Sequence, residues 1–143
     1  MATLNPYLNF AGNTEEAFNF YKAVFGGNFL GEVNRFKDTP DADKLSKEDQ
    51  NKVMHVALPI GKANVLMATD ALESMGHKLI PGNNFYLSLE ADNKPEAEKL
   101  FNALSKGGKV TMPLADAFWG AYFGMLTDKF GINWMVNYTY PKQ

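Results

Sequence analysis

Apolar and polar residues alternate along much of the chain, which is the pattern of β-strands with one buried face. The clearest example is residues 118–137, where an aromatic-rich stretch, a turn at residues 128–131 and a second alternating stretch predict a β-hairpin. In the second strand Trp134 and Val136 share one face, which we expect to be buried. The opposite face is amphipathic and able to line a cavity; it carries Asn133, Met135 and Asn137.

Further strands are expected at residues 4–10, 28–36, 53–60, 65–69, 84–90 and 109–112. Apolar residues at helical spacing predict two helices. Asn13 is expected to cap the first helix, and residues 93–96 open the second with a proline in its first turn. Glycine pairs at residues 26–27 and 107–108 end them. The charged segment 37–52 is typical of a solvated loop.

Both halves of the sequence repeat the same order of elements, namely a strand, a helix and three strands. Residues 13–27 match residues 93–108 at an offset of about 80 positions, which indicates an internal duplication. Because neither half can bury its own sheet, we expect an α+β fold in a single domain spanning residues 1–143. Its two tandem βαβββ modules, residues 1–70 and (with a linker) 71–143, are expected to form one curved mixed sheet. The helices would cover its convex face, with a cleft between the halves.

Composition narrows the class of protein. The net charge of -2 and the hydrophobic content of 45% are ordinary for a globular protein, and no basic stripe is present to bind nucleic acid. The chain has no cysteine, which excludes disulfides, thiolate metal sites and a cysteine nucleophile. Neither a secretory signal nor an apolar run of the roughly 20 residues that span a membrane is found. We therefore expect a cytoplasmic protein with neither a nucleic-acid nor a membrane partner.

Several motifs point to a known family. They are the opening segment 5–12, the helix from Ala17 through Tyr21 to Gly27, and residues 119–134 with their Trp-Gly, Phe-Gly and Thr-Asp-Lys-Phe-Gly elements. Together they resemble the vicinal oxygen chelate superfamily of glyoxalases, bleomycin-resistance proteins and dioxygenases. Within it they resemble the PhnB-like branch, often labelled demethylubiquinone methyltransferase-like. The resemblance covers nearly the whole chain and implies a homodimer in which strands or hairpins of two chains complete the cavity.

Superfamily members with a catalytic metal hold it on the inner sheet face of both halves, usually through His, Gln or Glu. The resemblance places these positions near Asn5 or Pro6, Met67, Asn84 and Met135. Thioethers prefer soft ions and amides bind divalent ions weakly. The resemblance therefore implies that the usual divalent-metal site is lost and that no cofactor is bound. The histidines of the chain, His55 and His77, lie on other elements.

Residues that share the inner faces of the predicted strands are the candidate ligand-binding residues: Tyr7, Asn9, His55, Asn84, Tyr86, Asn133 and Met135. His55 is the candidate catalytic residue, because histidine can exchange a proton near neutral pH. Alternatively, these positions are hydrated polar residues and His55 is hydrogen-bonded within the sheet. The inner positions carry no carboxylate, which disfavours an acidic groove for cationic drugs.

Three functions follow from these observations. The first is a small-molecule-binding protein that lacks the usual metal ligands and takes a compact, partly aromatic, roughly neutral ligand. The alternative is a metal-dependent enzyme of the glyoxalase or dioxygenase kind, acting on a substrate with vicinal oxygens. The third is an interaction module, in which the hairpin aromatics Phe118, Trp119, Tyr122 and Trp134 serve the core or a dimer interface rather than a ligand.

Overall fold

The computed structural model describes residues 2–142 and forms two compact units, one ending at Ile80 and one starting at Pro81. The first unit contains β1 (Tyr7–Phe10), α1 (Thr14–Phe25), β2 (Asn34–Arg35), α2 (Lys47–Gln50), β3 (Val53–Ile60) and β4 (Asn64–Asp70). The second contains β5 (Leu87–Glu90), α3 (Lys94–Ser105), β6 (Lys109–Ala117), β7 (Ala121–Thr127) and β8 (Asn133–Thr139). Among residues 2–142, no helix has both the length and the hydrophobicity that crossing a membrane requires.

Each unit contains a four-stranded mixed sheet, with strand order β1-β4-β3-β2 in the first and β5-β8-β7-β6 in the second. In both sheets the first strand pairs in parallel with the last one, and the other pairs are antiparallel. The α+β class and the two βαβββ modules are thus confirmed. That the modules join into one curved sheet and one domain stays a prediction.

One face of each sheet packs against its long helix, as the alternating pattern predicts. In the first unit Leu8, Leu58 and Leu66 are buried together with Phe18 and Tyr21 of α1. The second unit buries Leu126, Trp134 and Val136 together with Phe101 and Leu104 of α3. Burial of these large apolar side chains is the main stabilising term for each unit.

The central hairpin is confirmed, and Asp128 fixes its turn. Oδ1 of Asp128 accepts hydrogen bonds from the backbone N–H groups of Phe130 and Ile132, at 2.8 and 3.1 Å. Its Oδ2 accepts the indole N–H of the buried Trp134 at 2.9 Å. Hydrogen bonds of this kind satisfy a buried carboxylate, so this residue serves the fold.

Several predicted strand limits are wrong. The strand expected at residues 28–36 is only Asn34–Arg35, because Gly31 adopts a φ of 73°, a left-handed conformation that interrupts an extended strand. The strand expected at residues 84–90 begins at Leu87, and the one expected at residues 109–112 continues to Ala117. Asn84 and Tyr86 therefore precede their strand.

The two long helices begin in different ways. The side chain of Asn93 accepts a hydrogen bond from the Glu96 backbone N–H at 2.8 Å, which confirms the predicted start of α3. Asn13 occupies the N-cap position of α1 as predicted, but its side chain makes no capping hydrogen bond. Instead, Asp70 at the end of β4 accepts the backbone N–H of Thr14 at 3.0 Å. The cap of α1 therefore comes from a residue remote in sequence.

Candidate functional site

The sheet face opposite the helix, called the open face here, carries most of the predicted site residues. On the first unit it comprises Tyr7, Asn9, His55, Met67 and Thr69. On the second unit it comprises Ser88, Glu90, Phe123, Met125, Asn133, Met135 and Asn137. These positions alternate with the buried core positions of the same strands, so the period of two places them together.

A hydrogen bond between Tyr7 and His55 is the central feature of the first open face. The phenol oxygen of Tyr7 lies 3.3 Å from Nδ1 of His55, and the ring centroids are 5.8 Å apart at 33°. Tyr7 belongs to β1 and His55 to β3, with β4 between them. The two side chains therefore meet above the central strand, near Met67, which is paired with Tyr7.

The surroundings of Tyr7 affect the pKa of its phenol. Burial raises the pKa of the Tyr7 phenol above its ordinary value of 10.0, so the phenol keeps its proton at neutral pH. The roles in this hydrogen bond depend on the His55 tautomer: in the tautomer whose Nδ1 accepts the phenol O–H, the imidazole N–H lies at Nε2. The sequence predicts no carboxylate partner for His55. The structure shows that its hydrogen-bond partner is the phenol of Tyr7.

Uncharged polar residues surround the pair in the register of the sheet. Asn9 is paired with Thr69, and Asn34 is paired with His55. The Thr69 hydroxyl lies 3.4 Å from the backbone oxygen of Val53. Amide, hydroxyl, phenol and imidazole groups together provide hydrogen-bond donors and acceptors without a permanent charge. Such a surface suits a neutral ligand with a few polar atoms.

The second open face carries a polar network at one end. Nδ2 of Asn137 donates to Oε1 of Glu90 at 2.8 Å, and the backbone N–H of Thr139 donates to Oε2 at 2.9 Å. The expectation that the inner positions carry no carboxylate is therefore wrong. Glu90 stands two residues beyond Ser88 on the same strand, so the alternation could have found it. Both of its oxygens are engaged within the protein.

The remaining predicted residues, Asn133, Asn84 and Asn5, each lie in a different part of the fold. Asn133 accepts the Thr127 hydroxyl at 2.7 Å, and Asn84 is an exposed residue before β5. Oδ1 of Asn5 accepts the backbone N–H of Val65 at 2.9 Å, so its amide is used by the fold. Among residues 2–142, no three His, Cys, Asp or Glu side chains are grouped closely enough to hold a metal ion.

The chain is similar to known proteins in both sequence and structure. The model of the Glyoxalase/Bleomycin resistance protein/Dioxygenase superfamily matches residues 3–136. Protein YjdN of Escherichia coli (strain K12) is 32% identical over 142 residues, which cover 94% of this chain and 93% of YjdN. The crystal structure of protein PA1353 from Pseudomonas aeruginosa is 40% identical, with a TM-score of 0.83 and coverage of 97% of this chain and 98% of that one.

A second solved structure shows the same fold at lower identity. It is described as a putative 3-demethylubiquinone-9 3-methyltransferase, PhnB protein, from Bacillus cereus. It is 23% identical, with a TM-score of 0.75, and the match covers 96% of this chain and 100% of that one. At this identity the likeness concerns the fold alone.

Proposed function

The chain belongs to the Glyoxalase/Bleomycin resistance protein/Dioxygenase superfamily, and we propose that it is a small-molecule-binding protein of that superfamily without the usual metal ligands. The observation that carries this proposal is the Tyr7–His55 hydrogen bond on the open face of the first unit. It orients two polar groups on a rigid sheet at a place where solvent reaches them, since 47% of the Tyr7 surface is exposed. Preorganised polar groups of this kind lower the ordering cost of binding.

Charge and shape restrict the ligand. The polar groups paired in register around Tyr7 and His55 are amides and a hydroxyl, and Tyr7 itself is paired with the uncharged Met67, so a strongly charged ligand would find no partner of opposite charge among them. The aromatic rings of the pair offer faces for stacking. We therefore propose a compact, roughly neutral ligand with an aromatic part and at least one acceptor oxygen for the imidazole N–H.

A ligand screen by thermal shift and NMR would test this proposal, followed by titration of hits into variants. Tyr7→Phe and His55→Ala should each weaken binding by about tenfold, the effect of losing one hydrogen bond in the complex. Tyr138→Phe and His77→Ala are the matched controls, because Tyr138 lies on the second unit and His77 is exposed in a loop. Hits that bind the Tyr7 and His55 variants as well as the unchanged protein would contradict the assignment, as would a screen in which nothing raises Tm.

The alternative function, a metal-dependent glyoxalase- or dioxygenase-like enzyme, is supported by superfamily membership, which is an argument from fold. The donor set argues against it, because residues 2–142 hold no group of three or more His, Cys, Asp or Glu side chains suited to a metal ion. Metal analysis after exposure to nickel, zinc, manganese and iron would decide. Retention of one such ion per chain after dialysis would favour the enzyme.

The homodimer implied by the family resemblance is also a proposal. Phe118, at the turn between β6 and β7, is 98% exposed and packs edge to face on Trp119 with ring centroids 5.0 Å apart. Exposed aromatic residues of this kind favour a protein contact, and we assign it to a second copy of this chain. Sedimentation of the protein and of Phe118→Ser would test this. The unchanged protein should be dimeric at micromolar concentration and the variant should dissociate more readily.

A cytoplasmic location stays a prediction.

A further inference from the structure

Three methionines occupy neighbouring positions across the second sheet. Met112 of β6 is paired with Met125 of β7, and Met125 is paired with Met135 of β8. Residues directly opposite on antiparallel strands point to the same side. Met125 and Met135 alternate with buried residues of the core, so this side is the open face. We call Met112, Met125 and Met135 the methionine row.

An irregularity of β6 completes the row. Val110 is paired with Leu126 and the next pair is Met112 with Met125, so β6 has one residue more than β7 at this point. In a regular ladder Thr111 would stand opposite Met125. The β-bulge moves Met112 into that position instead. Bulges often re-aim a side chain next to a functional site, and here the bulge aligns a third thioether.

We propose that the methionine row binds a soft monovalent metal ion of the Cu(I) or Ag(I) class. Neighbouring strands lie about 4.8 Å apart, so the outer two Cα atoms are about 10 Å from each other. Methionine has three rotatable bonds, which allows the outer side chains to bend toward Met125. The sulfur atoms can then meet above the central strand.

Ligand chemistry selects this class of ion. Thioether sulfur is a soft, uncharged donor that prefers Cu(I) over Mg, Ca or Mn ions. Ser88, paired with Met135, continues the row on β5 with an uncharged side chain. A single positive charge costs less to desolvate in a neutral site than a double one. The row is also accessible to solvent, because Met112 is 47% exposed and Met125 and Met135 are half-buried.

The experiment uses the full-length protein labelled at the methionine methyl carbons and titrated with Ag(I), then with Cu(I) under anaerobic conditions. The methyl resonances of Met112, Met125 and Met135 should shift together and saturate at one ion per chain. Met54, Met67 and Met75 belong to the first unit and act as internal controls. Their resonances should stay in place over the same range.

Variants separate a metal site from a merely apolar surface. Met125→Leu keeps the volume and hydrophobicity of the side chain and should leave the protein folded, but it should abolish stoichiometric Ag(I) binding. Met75→Leu, at an exposed methionine outside the row, should leave binding unchanged. Binding that survives Met125→Leu, methyl resonances that shift one by one, or the absence of saturation would overturn the proposal. Because this site involves none of Tyr7 or His55, its failure would leave the proposed small-molecule site untouched.

Discussion

The carboxylate of Asp70 accepts the hydroxyl of Thr14 at 2.6 Å, and both residues are buried. The same carboxylate accepts the backbone N–H of Thr14 through Oδ1 and that of Val53 through Oδ2, at 3.0 and 2.8 Å. One side chain thus joins the start of α1, the start of β3 and the end of β4.

Asp70→Ala should therefore lower the free energy of unfolding by about 3 kcal/mol or more, because it leaves buried N–H donors without acceptors. Urea unfolding followed by circular dichroism would measure it. Asp43→Ala, at an exposed loop position, should change stability by less than about 0.5 kcal/mol. Asp70→Asn retains one acceptor oxygen and should fall between them; equal stability of all three proteins would refute the role of Asp70.

The two helix starts provide a second comparison. Asn93→Ala removes the cap that Glu96 uses and should cost about 1 kcal/mol. Asn13→Ala should cost much less, because the Asn13 side chain makes no capping hydrogen bond. Chemical denaturation of the two variants side by side is the measurement. A larger loss for Asn13→Ala would mean that Asp70 is not the effective cap of α1.

Gly108 should tolerate no side chain. A Cβ added there would lie 2.3 Å from the backbone oxygen of Thr127 and 2.8 Å from the carbonyl carbon of Asp128. Since backbone cannot move as easily as a side chain, Gly108→Ala should destabilise the protein by about 1 to 3 kcal/mol. Gly82→Ala is the control, because its nearest neighbour is a side-chain atom at 3.9 Å. Thermal unfolding of the two variants would show whether they differ.

Tyr140 should be among the last tyrosines to ionise. Its hydroxyl donates to Asp116, and this hydrogen bond, the largest cause, raises the pKa of Tyr140 from 10.0 to about 12. Because the folded-state pKa is raised, the contribution to stability is complete below about pH 10 and is lost as the pH rises toward 12. NMR titration of the Tyr140 ring carbon would follow this. Asp116→Asn should lower the pKa, whereas Glu98→Gln should not.

The ion pair between Arg35 and Glu15 should contribute little despite its short N–O distance of 2.6 Å. The two side chains are 27% and 49% exposed, and exposed pairs typically contribute less than about 1 kcal/mol. A double-mutant cycle with Arg35→Ala and Glu15→Ala would measure the coupling energy. It should stay below that value and shrink as salt is added. A coupling of several kcal/mol would contradict this expectation.

Local sequence patterns determined those parts of the secondary structure that depend on interactions between residues close together in the chain. The period of two placed Trp134 and Val136 in the core, and the side chain of Asn93 opened α3 within one helical turn. The internal repeat gave the βαβββ order of both modules. These features depend on interactions within a few residues, so the order of amino acids alone specifies them. The extension of β6 to Ala117 was missed because pairing with a partner strand decides where a strand stops.

Tertiary structure decided which remote residues meet. Asp70 rather than Asn13 supplies the side-chain hydrogen bond that caps α1, Tyr7 reaches His55 across β4, and a bulge places Met112 opposite Met125. Each of these relationships depends on the register of strands that are far apart in sequence, and a shift of one residue would turn every side chain to the other face. The sequence by itself determined which residues share a strand face, whereas only the paired sheets determined which of them lie side by side.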